Sequence, residues 1–68
     1  MEKHTLPLAA MEKLMKNVGA ERVSEDAKEE LRNVLEDIAE EVSQNAIKLA
    51  LHAGRKTVKG SDIKLAAK

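Results

Sequence analysis

Leu8, Met11, Leu14, Met15 and Val18 recur at three- and four-residue spacing, which places them on one face of a helix. Pro7 suits the first turn, where its missing N–H costs nothing, and Gly19 can take the left-handed conformation that ends a helix. The spacing therefore predicts a helix over 7–18. Gly19 to Val23 reads as a short connection. Ser24 is a good N-cap, and Glu25 and Asp26 sit well in a first turn against the helix dipole. No Pro or Gly follows until Gly54, so the second helix is expected to run for about 28 residues, or about 42 Å.

Along that helix Ala27, Leu31, Val34, Ile38, Val42, Asn45 and Leu49 follow 4-3-4 steps, so the pattern repeats every eleven residues (27, 38, 49). Such a repeat does not favour a left-handed supercoil, and it points to a crossing of nearly straight helices. Leu35, Ala39, Ala46 and Ala50 widen the stripe, and the alanines would let a partner helix approach closely. Ala53-Gly54 ends the element. Arg55 to Gly60 forms a loop in which Thr57-Val58 could make a short extended pairing. Ser61 is the expected cap of a short third helix, with Asp62 in its first turn and Ile63, Leu65 and Ala66 as apolar positions. The expectation is all-α: a loose start at residues 1–5, then one domain over 6–68 built as short helix, long helix, short helix.

A chain of 68 residues rarely builds an adequate core alone. Here there is no Cys for a disulfide, no aromatic residue, and only His4 and His52 as imidazoles, so a structural metal site is not expected. A long helix cannot bury its apolar face against one short helix, which makes a second chain the expected source of core. Neither a signal-peptide h-region nor an apolar run of about 20 residues is present, and the lack of Cys fits a reducing compartment. The reading is a cytoplasmic protein with no membrane partner.

Net charge is zero, but its distribution is uneven. Residues 1–24 carry four Lys/Arg against three Asp/Glu, residues 25–45 two against eight, and residues 46–68 six against one. A neutral total thus hides a basic C-terminal third. Catalysis is not expected. The chain has no nucleophile–base arrangement, glycine-rich phosphate loop or metal-ligand cluster, hence no cofactor and no small-molecule substrate.

The helix order, with GAERVS at Gly19–Ser24 and HAGRKTV at His52–Val58, closely resembles the archaeal histones. LPLAAMEKLMK (Leu6–Lys16) resembles their first helix, and Ala46–Ala66 the end of the second helix, the second loop and the third helix. The resemblance implies a histone fold in an intertwined, head-to-tail homodimer whose long helices cross near the middle. It further implies double-stranded DNA as partner, bound along paired loops with the N-termini of the first helices between them. Dimers of this kind join into tetramers or longer rods on the chromosome, which implies a nucleoid-associated protein.

Residue by residue, Arg22 resembles the loop-one arginine that enters the minor groove, braced by Thr57 of the second copy. Lys56 resembles a loop-two phosphate contact, and Lys13 and Lys16 the basic residues of the first helix that face the backbone. Arg55 and Asp62 resemble a structural pair across the second loop. Leu49, His52 and Asp62 match the dimer–dimer contact. The chain departs from the family pattern at Ala10, commonly a proline, at Leu51, commonly basic, and in the absence of a basic tail. Glu29, Glu30, Glu36, Asp37, Glu40 and Glu41 make the second helix unusually acidic.

Two functions follow from this reading. The first is sequence-nonspecific duplex binding, with bending and compaction, by a homodimer. The second is a histone-fold interaction module, working as a heterodimer partner or within a larger assembly, with weak or no DNA binding.

Overall fold

Helix-terminating glycines divide the chain where the sequence pattern places its breaks. The computed structural model describes residues 4–68, and the part of the expected loose start at residues 1–3 lies outside them. Three helices are present, α1 (Leu8–Asn17), α2 (Glu25–His52) and α3 (Gly60–Ala66), with no strand among the described residues. The all-α expectation holds, with the short–long–short order.

In the first compact unit, whose described residues are 4–37, α1 begins one residue later than expected. Pro7 is its N-cap, with extended φ −76 and ψ 143. The helix ends in a Schellman turn: Gly19, at φ 117, donates its N–H to the Lys16 carbonyl (3.1 Å), and Ala20 donates to Met15 (3.1 Å). Ser24 caps α2 as expected, its Oγ accepting the Ala27 N–H at 3.3 Å. Met11 is the buried apolar residue of this unit, at 2% exposure, while Leu31 and Leu35 are half-buried.

Glu36, one of the six residues that make α2 unusually acidic, is not a surface charge. Its side chain is buried and accepts three hydrogen bonds: from His4 Nδ1 (2.7 Å), the Thr5 N–H (2.6 Å) and the Leu6 N–H (3.0 Å). It thereby fastens the chain entering α1 onto α2. These donors hold its carboxyl down at about 2, the His4 hydrogen bond contributing most, then the Leu6 N–H.

The second unit, residues 38–68, contains a second Schellman turn. Gly54, at φ 76, donates to the Leu51 carbonyl and Arg55 donates to that of Ala50, both at 2.9 Å. Ala46 and Ala50 are buried within the chain itself, whereas Ala39, grouped with them from the sequence, is exposed. Thr57-Val58 forms no strand, since a ladder needs an opposite backbone. The cap of α3 is Lys59, not Ser61. Asp62, the third helical residue, accepts the Lys59 N–H at 2.8 Å, so the helix starts two residues earlier than a serine cap would allow.

The apolar interior is thin. No large side chain is fully buried among the described residues, and Val34, Ile38, Ile47, Leu51 and Leu65 remain about half exposed or more. Val34 and Ile38, in the middle of the α2 stripe, expose 51% and 53%.

Candidate nucleic-acid interface

Loop one is built by the Gly19 turn at one end and the Ser24 cap at the other. Ser24 Oγ also donates to Asp26 Oδ1 at 2.6 Å, and Lys28 Nζ lies 2.8 Å from Glu25, so the first turn of α2 satisfies its own carboxylates. Arg22 is exposed between these anchors and makes no side-chain hydrogen bond or ion pair among the described residues. A guanidinium in that state retains all its donors for an external anion.

Loop two is braced from within. Arg55 Nη1 donates to Asp62 Oδ2 and Nη2 to Asp62 Oδ1, both at 2.9 Å, and Nη1 also reaches the Thr57 carbonyl at 2.9 Å. Asp62 is buried at 5% exposure, and Oδ2 additionally accepts the Lys59 N–H. The Arg55 guanidinium, with the Lys59 N–H second, lowers the Asp62 carboxyl to about 2, and Asp62 in turn raises Arg55. One bidentate pair thus spans the loop, and Arg55 is turned inward as a brace. Lys56 and Thr57 stand exposed on the braced segment. Arg55 and Asp62 cancel each other, which leaves Lys48, Lys56, Lys59, Lys64 and Lys68 as the exposed cations of this unit.

On α1, Lys13 and Lys16 are both exposed but differ in surroundings. Lys16 lies 3.0 Å from Glu12, whereas Lys13 has no ion pair among the described residues. Glu12 also reaches Lys28 at 3.3 Å, and the two ammonium groups, Lys16 first, lower its carboxyl. α1 has no acidic residue in its first turn and no side-chain cap at Pro7, so its leading N–H groups are not capped by a side chain among the described residues.

Leu49 and His52 line an open hollow of about 480 Å³ together with Asn45, Lys48, Leu65 and Ala66. Asp62, grouped with them from the resemblance, is not part of that lining and is engaged with Arg55 and Lys59.

Two features had no place in the sequence reading: the Glu36 fastening and the Glu12 bridge between α1 and α2. Both join residues far apart in the chain. A glutamate just after Leu35 and two residues past Val34, at the edge of an apolar stripe, is the one sequence signal that hinted at the former.

Helices of 10, 28 and seven residues in this order, with braced loops presenting cations, define a histone-fold chain. Residues 4–67 match the family described as histone-like transcription factor (CBF/NF-Y) and archaeal histone, and the chain belongs to that family. It is 52% identical over 63 residues to an archaeal histone HAN1 subunit of Thermococcus zilligii, covering 93% of this chain and 94% of that protein. It is 46% identical over 61 residues to a probable archaeal histone 3 of Methanocaldococcus jannaschii, covering 90% and 91%. No helix among the described residues is long and apolar enough to cross a membrane.

Proposed function

We propose that this chain is a histone that pairs with a second copy and binds double-stranded DNA with little sequence preference, bending and compacting it on the chromosome. The observation that carries the reading is membership of the histone family across residues 4–67. The exposed Val34 and Ile38 on α2 supply a reason for pairing. A second long helix crossing there removes apolar surface from water, at about 25 cal/mol per Å². Loop one of one copy then lies beside loop two of the other, so that Arg22 enters the minor groove with Thr57 of the second copy beside it. Lys56, Lys13 and Lys16 meet phosphates, and the open N-terminus of α1 adds backbone N–H donors. Contacts of this kind read charge and groove shape, not base edges. Leu49 and His52, with Asp62 nearby in sequence, form the surface through which dimers join on DNA.

Binding to unrelated duplexes across a salt series tests the reading. Affinity falls linearly on a log–log plot, with a slope of about −0.9 per phosphate contacted, and changes little with sequence. A flat salt response or a strong preference for one sequence contradicts it.

A second reading is favoured by one observation: the relative at 52% identity is named as one subunit of HAN1. The chain would then work as one member of a mixed histone-fold assembly, and the acidic α2 would face a partner of different sequence. Sedimentation of the chain alone separates the two, because an unfolded single chain points to a missing partner.

A further inference from the structure

Glu12 is the one carboxylate on α1, and its two oxygens hold different cations: Oε2 lies 3.0 Å from Lys16 and Oε1 3.3 Å from Lys28. The two lysines are not equivalent. The Lys28 side chain is 13% exposed and has a second carboxylate, Glu25, at 2.8 Å. Lys16 is 49% exposed, and Glu12 is its one ion-pair partner among the described residues. A phosphate and a carboxylate compete for the same ammonium, and exposed pairs are weak enough to exchange. If Lys16 leaves, Glu12 still has Lys28, so its charge is not stranded.

We propose that Glu12 attenuates duplex binding: it holds Lys16 in the free protein, and a DNA phosphate takes Lys16 over while Glu12 stays on Lys28. This inference rests on the reading of the chain as a duplex-binding protein. In its simplest consequence, Lys13 and Lys16, three residues apart on one helix, contribute unequally to binding because one is already neutralised. A single carboxylate thereby lowers affinity at a definite place and not only through its share of the total charge.

The test is duplex affinity across a salt series for the full chain carrying Glu12→Gln, with folding checked by circular dichroism. Binding is expected to tighten about two- to fivefold at fixed salt, from the strength of one exposed pair per copy. The log–log slope stays close to the wild-type value, because Lys16 meets a phosphate in both complexes. With Lys16→Gln also present, most of that gain disappears. Equal or weaker binding by folded E12Q overturns the inference, as does a gain of the same size with and without Lys16. Should E12Q not fold, Lys16→Gln and Lys13→Gln decide the matter: K16Q is expected to weaken binding at fixed salt less than K13Q, and equal losses overturn the inference. A wild-type chain that binds no duplex at any salt overturns both this inference and the function it rests on. A wild type that binds steeply beside an unimproved E12Q overturns this inference alone.

Discussion

Arg55 and Asp62 meet through two parallel hydrogen bonds of 2.9 Å, fork against fork, across seven residues of chain. The arginine arrives there because the Gly54 turn fixes its backbone against Ala50, and the aspartate because it is the third residue of α3. The pair closes the second loop and leaves Lys56 and Thr57 outside it.

Removing one side of that pair strands the other. Asp62→Asn is expected to lower the melting midpoint by about 5 °C or more at fixed protein concentration, because a guanidinium loses its counter-charge and the Lys59 N–H a strong acceptor. Duplex binding should weaken with it, since Lys56 loses its fixed position. An unchanged midpoint contradicts the bracing role.

The glycines separate by backbone geometry. Gly54 sits at φ 76, so Gly54→Ala is expected to cost about 1–2 kcal/mol although its Cβ meets no neighbour within 4 Å. Gly60 has no positive φ and equally open surroundings, so Gly60→Ala is expected to be neutral or to stabilise by up to about 1 kcal/mol. Chemical denaturation of the two variants checks the contrast.

Acid stability follows from Glu36 and Asp62. Both carboxyls titrate at about 2 when folded, below their ordinary 4.5 and 3.8, so the unfolded chain binds protons first as pH falls. Their stabilisation is complete above about pH 5 and is lost as pH falls toward 2. Melting midpoints measured from pH 7 to pH 2 should stay level at first and then fall. Glu36→Gln should be less stable at neutral pH and fall less steeply in acid.

Helix ends were legible in the sequence because they depend on a few neighbouring atoms: Gly19 and Gly54 terminate and Ser24 caps where expected. Pairing of Arg55 with Asp62 was legible through the family motif, which carries a loop geometry that spacing alone does not. Misreadings arose where a contact outside the pattern of apolar positions decides. From the sequence Glu36 is one acidic residue of α2 among six, and only the N–H groups of Thr5 and Leu6, about thirty residues away, set it apart. Lys59 displaced Ser61 as the cap of α3 because Asp62 supplies the acceptor from inside the helix. Ala46 and Ala50 looked like a partner's landing strip and are covered within the chain.

Loop cations carry the proposed binding, and their loss should be readable as charge. Arg22→Ala and Lys56→Gln are each expected to flatten the log–log salt slope by up to about 1.8 per dimer, one phosphate per copy, with folding preserved. Titration of a short duplex at several salt concentrations measures it, and an unaltered slope for both contradicts the assignment.

Pairing of two chains underlies the whole interface, and sedimentation equilibrium combined with concentration-dependent melting reaches it most directly. The expected result is a helical species of about 15 kDa, twice the 7.5 kDa chain, whose melting midpoint rises with protein concentration. A helical 7.5 kDa species melting at a concentration-independent temperature would contradict it.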